Sequence, residues 1–443
     1  MSSNIKKCQN AYAENYRNYY TGFGVDWQEF FSSRLICLGI LAGNVRSSLA
    51  PGGSILYNDP KDFSKEDPAL QKIQPYSGFE LGPIRPPSEA YSLLLRINRG
   101  CGWNKCRFCG FYRDVPFSVR RAEDVKKDID LIRFWVDVIQ GKQPPRQARD
   151  DGDYEALSMA YHWVQSGMRS VFFQDGNSLL MPPQELIEVL EYLNAAFPQI
   201  QRITTYARSD TINRIDPARL KRYAELKLNR FHIGLETGND EILKLMRKGT
   251  TKQAQIQAGI KAMAAGIEIN EFYMPGMGGR EYARQSALDT ADVMNQVDPD
   301  FIRIRSMALA ENLEMYEDYE KGILTRPNDI ETIGEIRLFI ESLHDIHSWV
   351  DSDHILNILL ELKGRLPQDK DKMLGLIDYF LDLPEDQQNI FRLGRRLGLM
   401  GQLSDLRNQV LVDKVKETMD RSHIDKSNID AVCDRLMIRA IPI

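Results

Sequence analysis

The 443-residue sequence lacks the features of membrane, secreted and nucleic-acid-binding proteins. Its longest early apolar run, from Leu35 to Val45, contains two glycines and is too short to cross a bilayer. The N-terminus shows no basic segment followed by an apolar one, as a signal peptide would. The net charge of −5 argues against a general nucleic-acid-binding surface. We therefore expect a cytoplasmic protein that is not an integral membrane protein and binds no nucleic acid.

Cysteine is scarce, and its distribution is uneven. The chain has six cysteines, of which three are scattered and three fall within nine residues, at Cys101, Cys106 and Cys109. Three thiolates are too few to close a structural zinc site, which normally has four ligands, and no fourth Cys or His lies nearby. They are sufficient to hold three irons of a 4Fe–4S cluster and to leave the fourth iron open. The absence of another cysteine cluster argues against a second iron–sulfur centre bound by this chain.

The segment Arg99–Tyr112 reads Arg-Gly-Cys-Gly-Trp-Asn-Lys-Cys-Arg-Phe-Cys-Gly-Phe-Tyr. It resembles the cysteine motif of the radical S-adenosylmethionine (radical SAM) superfamily, including the aromatic residue, Phe108, just before the last cysteine. The superfamily usually has three residues between the first two cysteines, whereas this chain has four. The resemblance implies a 4Fe–4S cluster on the three cysteines, SAM as the second cofactor, and Phe108 at the cofactor site.

Between residues 91 and 307 the sequence alternates between strand and helix patterns. Six strands separated by helical stretches predict a parallel sheet with helices outside it. Six units are too few for an eightfold barrel, and the resemblance implies an open, partial (β/α)6 TIM-like barrel. The predicted strands are Tyr91–Ile97, Arg169–Gln174, Arg202–Arg208, Arg230–Glu236, Ile267–Tyr273 and Phe301–Ser306.

We predict three regions along the chain. Residues 1–88 form an N-terminal extension, residues 89–309 the radical SAM core and residues 310–443 an all-helical C-terminal domain. Beyond residue 310 strand signals vanish, and helices are expected at Ile333–Trp349 and Asp353–Leu362, among others. These helices are predicted to wall the open side of the barrel, because their apolar residues must be buried somewhere.

Active sites of parallel αβ barrels lie at the carboxyl ends of the strands. The second predicted strand ends in Gln174, Asp175 and Gly176. A glycine permits close backbone approach, and carboxylate or carbonyl oxygens can accept from an ammonium group. The resemblance implies that this turn binds the amino group of SAM. An ordinary strand-to-helix turn is the structural alternative.

The third predicted strand ends in Arg208, Ser209 and Asp210. The planar guanidinium of Arg208 is suited to the carboxylate of SAM. Ser209 and Asp210 are candidates for the ribose hydroxyls. A solvated, charged strand end is the alternative for each of these side chains.

The fourth predicted strand ends in Gly-Leu-Glu-Thr-Gly, with Lys248 following the next helical stretch. This pattern is similar to a radical SAM subgroup that contains oxygen-independent coproporphyrinogen oxidase-like enzymes, methylthiotransferases and the Elongator catalytic subunit. The resemblance implies that Glu236 reaches the SAM ribose and that Lys248 approaches SAM. His232, on the same strand face as Glu236, is more simply interpreted as a buried core histidine.

Two further stretches complete the predicted site. Gly276 lies in the glycine-rich loop after the fifth strand, which resembles the loop beside the adenine in the superfamily. Arg303 and Arg305 share one face of the last strand. They would form an anion site if that face is the barrel interior, and would be solvated if it is the outside.

The resemblance implies an enzyme that cleaves SAM reductively and starts radical chemistry. The absence of auxiliary cysteines favours a small-molecule or lipid substrate over an RNA or peptide. An electron donor such as flavodoxin or ferredoxin is implied. A non-catalytic iron–sulfur redox sensor and a zinc-stabilised interaction protein are the alternatives outside enzymes.

Overall fold

An eight-stranded sheet forms the centre of the computed structural model, which describes residues 76–439. Its first six strands lie side by side in chain order and all are parallel. They are the six strands that the sequence predicts, so the α/β partial barrel is confirmed. These strands are β1 (Leu93–Arg96), β4 (Ser170–Gln174), β5 (Arg202–Ala207), β6 (Leu228–Glu236), β7 (Glu268–Tyr273) and β8 (Phe301–Ile304).

A separate two-stranded ladder projects from the end of β1. Strand β2 (Asn98–Arg99) pairs antiparallel with β3 (Ser118–Val119). The residues between them, 100–117, contain the three clustered cysteines and are called the cysteine loop below. The ladder brings the two ends of this loop together at the carboxyl end of the barrel.

Helices connect the strands, and local sequence explains where they begin. The Asn239 side chain accepts from the amide of Ile242 and caps α6 (Asp240–Leu245), while Thr251 caps α7 (Lys252–Ala264) in the same way through Ala254. The helices of the barrel are α1 (Ala122–Ile139), α2 (Asp151–Gln165), α3 (Pro183–Ala196), α4 (Ser209–Arg214), α5 (Pro217–Glu225), α6 (Asp240–Leu245), α7 (Lys252–Ala264) and α8 (Gly279–Val297).

The region after residue 310 is helical, but it also adds two short strands to the sheet. Strand β9 (Trp349–Asp351) pairs parallel with β8, and β10 (Lys363–Arg365) pairs antiparallel with β9. The helix expected at Asp353–Leu362 is therefore wrong, because these residues form turns between the two strands. The helices of this region are α9 (Tyr316–Glu320), α10 (Asp329–Ser342), α11 (Lys370–Leu381), α12 (Glu385–Arg396), α13 (Gln409–Arg421) and α14 (Ile429–Arg439).

One apolar cluster runs from the late barrel strands into the C-terminal helices. Leu235 of β6 and Ile302 of β8 belong to it together with Phe339 of α10, and all three are fully buried. The Tyr273 ring lies 4.4 Å from the Phe339 ring, centroid to centroid. The cluster is thus continuous across residue 310. Within residues 76–439, no helix is both long and apolar enough to span a membrane.

Candidate active site

The backbone of the cysteine loop is folded around the side chain of Arg113. Its guanidinium donates to the carbonyl oxygens of Asn104 and Cys109, both at 3.1 Å, and to that of Cys106. The amide of Cys109 also donates to the carbonyl of Cys106 at 3.2 Å. The arginine therefore fixes the loop through its backbone carbonyl groups.

The far side of the loop is attached to the segment after α6 and to α9. Arg107 forms an ion pair with Asp318 at 2.6 Å, and its amide donates to the carbonyl of Met246 at 3.0 Å. The indole nitrogen of Trp103 donates to the carbonyl of Arg247 at 2.8 Å. The cysteines are therefore held between the ends of β4 and β6.

Asp175, at the end of β4, connects the barrel to the start of the cysteine loop. Its carboxylate accepts from the Arg96 guanidinium at 2.8 Å, the Gly100 amide at 3.1 Å and the Tyr112 hydroxyl at 3.2 Å. Burial raises the pKa of Asp175, although these three donors act in the opposite direction. The structure gives this carboxylate protein partners on both oxygens. The predicted contact with the SAM amino group stays a prediction.

Gly176 and Gln174 flank that aspartate and have different surroundings. A Cβ built on Gly176 would lie 3.1 Å from the Cβ and 3.3 Å from the Sγ of Cys101, so only glycine fits against the cysteine without a shift. The Gln174 side chain is turned the other way. It accepts from the Gly82 amide at 2.9 Å and donates to the Gly82 carbonyl at 3.1 Å.

The predicted residues at the end of β5 lie next to those at the end of β6. Arg208 donates to Asp210 at 2.9 Å and to the carbonyl of Lys248 at 2.7 Å. Its guanidinium also stacks on the Trp103 ring, 5.1 Å from the centroid. Ser209 is buried at the start of α4. Arg208 therefore links three separate segments around the cysteine loop.

Glu236 ends β6 in the left-handed region, with φ of +66°, after an irregularity in the β6–β7 register. This conformation folds its carboxylate back over Gly234, where it pairs with the Lys248 ammonium at 2.9 Å. The same ammonium lies 5.6 Å from the centre of the Phe108 ring. Glu236 and Lys248 are both largely buried. The structure thus places this pair beside the cysteine loop, and the predicted contacts of Glu236 and Lys248 with SAM stay predictions.

The electrostatic surroundings of the cysteines combine burial with nearby cations. Burial raises the pKa of the Cys106 thiol, and Lys248 and Arg208 act to lower it. Burial likewise raises the pKa of Cys109, and the other two cysteines of the loop add to that increase. The three thiols thus lie within electrostatic range of one another. Two cations beside them favour the thiolate, which is the form that binds metal.

The loop after β7 is held by a carboxylate that the sequence did not single out. Glu335 of α10 accepts from the Gly276 amide at 2.9 Å and from the Tyr273 hydroxyl at 2.7 Å. Gly276 has φ of +87°, a left-handed conformation that favours glycine. Burial raises the pKa of Glu335 to about 7. Only the buried position of Glu335 in an amphipathic helix distinguishes it, and that is a weak sequence signal.

His232 is a satisfied core histidine, as the simpler interpretation predicted. One ring nitrogen, Nε2, lies 3.1 Å from Glu89, and the other, Nδ1, lies 2.6 Å from the Asn270 side-chain amide. Burial lowers the pKa of His232, and the Glu89 carboxylate acts in the opposite direction. Its ring packs against those of Phe172, Tyr206 and Phe272.

Three sulfurs on one loop, clamped by backbone contacts and faced by two cations, suit an iron–sulfur cluster better than a single ion. Cluster thiolates bind different irons and need not converge on one point. Within the described residues, no three His, Cys, Asp or Glu side chains form a single-ion site. Two observations fit the cluster that the cysteine motif implies. Cys101 packs closely against Gly176, and the thiols of Cys101, Cys106 and Cys109 form no disulfide.

Comparisons with known proteins identify the same region. Residues 95–291 match the family model described as the Radical SAM superfamily. No curated protein gives a significant match. Among solved structures, the chain is similar to Elp3 of the archaeon Methanocaldococcus infernus, with 17% identity and a TM-score of 0.35 over 42% of this chain and 48% of that one.

Two other solved structures show a similar level of likeness. Methylornithine synthase (PylB) is 15% identical, with a TM-score of 0.37 over 60% of this chain and 66% of that one. Coproporphyrinogen III oxidase (HemN) from Escherichia coli is 15% identical, with a TM-score of 0.34 over 49% and 44%. The chain thus covers less than two thirds of each of these three proteins.

The family match begins in β1, ends in α8 and contains the cysteine loop and the ends of β4 to β7. Members of this superfamily bind a 4Fe–4S cluster and SAM. Residues 95–291 therefore belong to the radical SAM superfamily.

Proposed function

We propose that Cys101, Cys106 and Cys109 hold a 4Fe–4S cluster and that the enzyme starts radical chemistry on a small molecule or lipid bound in the barrel. When bound, the cluster supplies the electron that cleaves SAM into methionine and a 5′-deoxyadenosyl radical. The observation that carries the proposal is the seat of the cysteine loop on the carboxyl ends of β4 and β6, with the buried Glu236–Lys248 pair beside it.

Each side chain of the site has a separate task in this proposal. The buried Glu236–Lys248 pair is assigned to the ribose side of SAM. Arg208, which donates to the carbonyl of Lys248, is assigned to the carboxylate of SAM. Asp175 positions the cysteine loop through Gly100 and Tyr112. The buried walls around these groups exclude water from the radical.

The proposal extends to the parts of the chain around the core. We assign residues 1–88 to an N-terminal extension, of which 1–75 lie outside the described residues, 89–309 to the core and 310–443 to a C-terminal region that walls the barrel. The enzyme would act in the cytoplasm and receive electrons from a flavodoxin or ferredoxin, without a nucleic-acid partner.

The proposed function predicts uncoupled cleavage of SAM. Full-length protein, reconstituted with iron and sulfide without oxygen, should slowly form 5′-deoxyadenosine and methionine when given SAM and dithionite. Glu236→Ala should weaken SAM binding by about 1–3 kcal/mol, the range for losing a buried polar partner. Isothermal titration calorimetry of the reconstituted protein measures that change directly.

Glu241→Ala is the matched control, because Glu241 is exposed on α6 in the same connection. It should bind SAM like the parent protein. A protein that carries the cluster but neither binds nor cleaves SAM would refute the enzyme proposal and favour a redox sensor. If Glu236→Ala binds SAM as the parent does, the assignment of Glu236 is wrong.

A further inference from the structure

The last parallel strand presents two arginines to the barrel interior. Ile302 and Ile304 are buried in the apolar cluster shared with the outer helices, so the alternate residues Arg303 and Arg305 face the other way. Arg303 is in register with Phe272, whose ring lies 6.4 Å from that of Tyr206 across the interior. The question that the sequence left open is thereby answered: both arginines lie inside the barrel.

The two arginines differ in whether a protein group neutralises them. Arg303 forms an ion pair with Asp353, which follows β9. Arg305 continues the ladder through its amide, which donates to the Tyr273 carbonyl at 2.9 Å. Its guanidinium has neither a carboxylate nor a hydrogen-bond acceptor among residues 76–439. A half-buried cation without a partner is unfavourable unless a bound anion or hydrogen-bond acceptor compensates its charge.

An aromatic ring of the cysteine loop and two side chains that can donate hydrogen bonds lie near Arg305. The guanidinium lies 5.7 Å from the centre of the Phe111 ring, two residues beyond Cys109. Burial raises the pKa of Tyr206, and among the nearby charges Arg305 opposes that increase most strongly. Burial, followed by Arg305, lowers the pKa of His354 to about 3. Arg305 is therefore within electrostatic reach of both rings.

Tyr206 and His354 are themselves available as donors. The Tyr206 hydroxyl has no hydrogen-bond partner within the described part of the chain. The His354 Nδ1 accepts from the Leu356 amide at 3.3 Å, which leaves the proton of the neutral ring on Nε2. The guanidinium of Arg305 therefore lies beside the cysteine loop, within electrostatic range of a phenol and an imidazole that can both donate.

We propose that Arg305 binds a carboxylate or phosphate group of the substrate inside the barrel. The proposal rests on the function proposed above and adds the substrate class: a small molecule with an anionic group. A guanidinium suits both anions because it donates two parallel hydrogen bonds. The anchor lies next to Phe111 of the cysteine loop, so an anion held there keeps the rest of the substrate near the site of radical formation.

The anion is assigned to the substrate and not to SAM. Arg208, on β5, is the side chain proposed for the SAM carboxylate, and it lies against Trp103 and Lys248. Arg305 is three strands away in the sheet, beyond β8. The two arginines therefore belong to different parts of the site.

The test titrates the full-length, reconstituted protein with inorganic phosphate and, separately, with succinate, in chloride buffer by calorimetry. The parent protein should bind at least one of the two anions, and the preferred one distinguishes phosphate from carboxylate substrates. Arg305→Met should lower that affinity at least tenfold, while Arg305→Lys, which keeps the charge, should lower it less. Arg222→Met, which removes an exposed arginine of α5, should bind as the parent does.

Iron content and SAM-dependent 5′-deoxyadenosine formation without substrate separate this inference from the proposed function. Arg305→Met should keep both within about twofold of the parent, a difference of roughly 0.4 kcal/mol. Unchanged anion binding in Arg305→Met, or no anion binding by the parent, would overturn the inference and leave the proposed function standing. Weakened SAM binding in Arg305→Met would overturn it by assigning the arginine to the SAM site.

Discussion

The substitution Gly176→Ala tests whether the cysteine loop needs the close contact between Gly176 and Cys101. The methyl group of Gly176→Ala would press on the Cβ and Sγ of Cys101, so the loop must shift away from the end of β4. We expect the free energy of unfolding to fall by about 1–3 kcal/mol, as for overpacking elsewhere. The iron bound after anaerobic reconstitution should fall as well. Denaturant unfolding and iron analysis of the same preparations measure both effects.

Gly334→Ala is the control for that substitution. Gly334 lies within α10 and a Cβ there meets no atom within 4 Å. It should leave the iron content unchanged and raise the helix stability by up to about 1 kcal/mol. Full iron loading of Gly176→Ala with unchanged stability would show that Cys101 does not need this close contact.

At the residue scale, short-range patterns were readable from the sequence and long-range partners were not. The cysteines, Glu236 and Lys248 belong to compact motifs, and the structure places them together. The partners of Asp175 lie 79 residues away at Arg96 and 63 residues away at Tyr112. Nothing in the local sequence marks such pairs, because tertiary packing alone brings them together.

Helix α10 links the C-terminal region to the barrel through a titrating carboxyl group. Burial raises the pKa of Glu335 from 4.5 to about 7. Between these values the folded protein keeps a proton that the unfolded chain has released, so the free energy of unfolding falls as pH rises and levels off above about pH 7. The fall contributed by this group is about 3 kcal/mol.

Glu335→Gln should remove that part of the pH dependence, because the amide does not ionise. Glu341→Gln, at an exposed position of the same helix, should keep the slope of the parent protein. Urea unfolding at several pH values between 4.5 and 8 provides the comparison. A parent-like slope in Glu335→Gln would mean that another group is responsible.

At the element scale, the length of a strand decided whether it could be predicted from the sequence. The six barrel strands have four to nine residues each and are flanked by helical patterns, and all six were predicted. Strands β9 and β10 have three residues each, which is too short for a recognisable alternation. The segment between them is fixed by Asn357, whose side chain donates to the Ile304 carbonyl and accepts from the Ser306 amide, both at 2.7 Å.

The whole molecule depends on the apolar contacts between the barrel and residues after 310. Truncation after residue 309 would remove β9 and β10, expose the edge of β8 and uncover the apolar cluster around Ile302 and Leu235. We therefore expect the shortened chain to be insoluble, since a large exposed apolar surface promotes aggregation. Expression followed by separation of soluble and insoluble fractions measures this. A soluble 1–309 chain that carries iron and cleaves SAM would show that the C-terminal region is independent.

The assigned cluster site is tested most directly by measuring the iron, sulfide and zinc content of the full-length protein, purified and reconstituted without oxygen. The parent should hold about four irons and four sulfides per chain. Alanine at any one of Cys101, Cys106 or Cys109 should abolish this content. Alanine at Cys433, a buried thiol of α14, should leave it intact. One tightly bound zinc per chain, or a full cluster that survives the loss of a loop cysteine, would contradict the assigned cluster site.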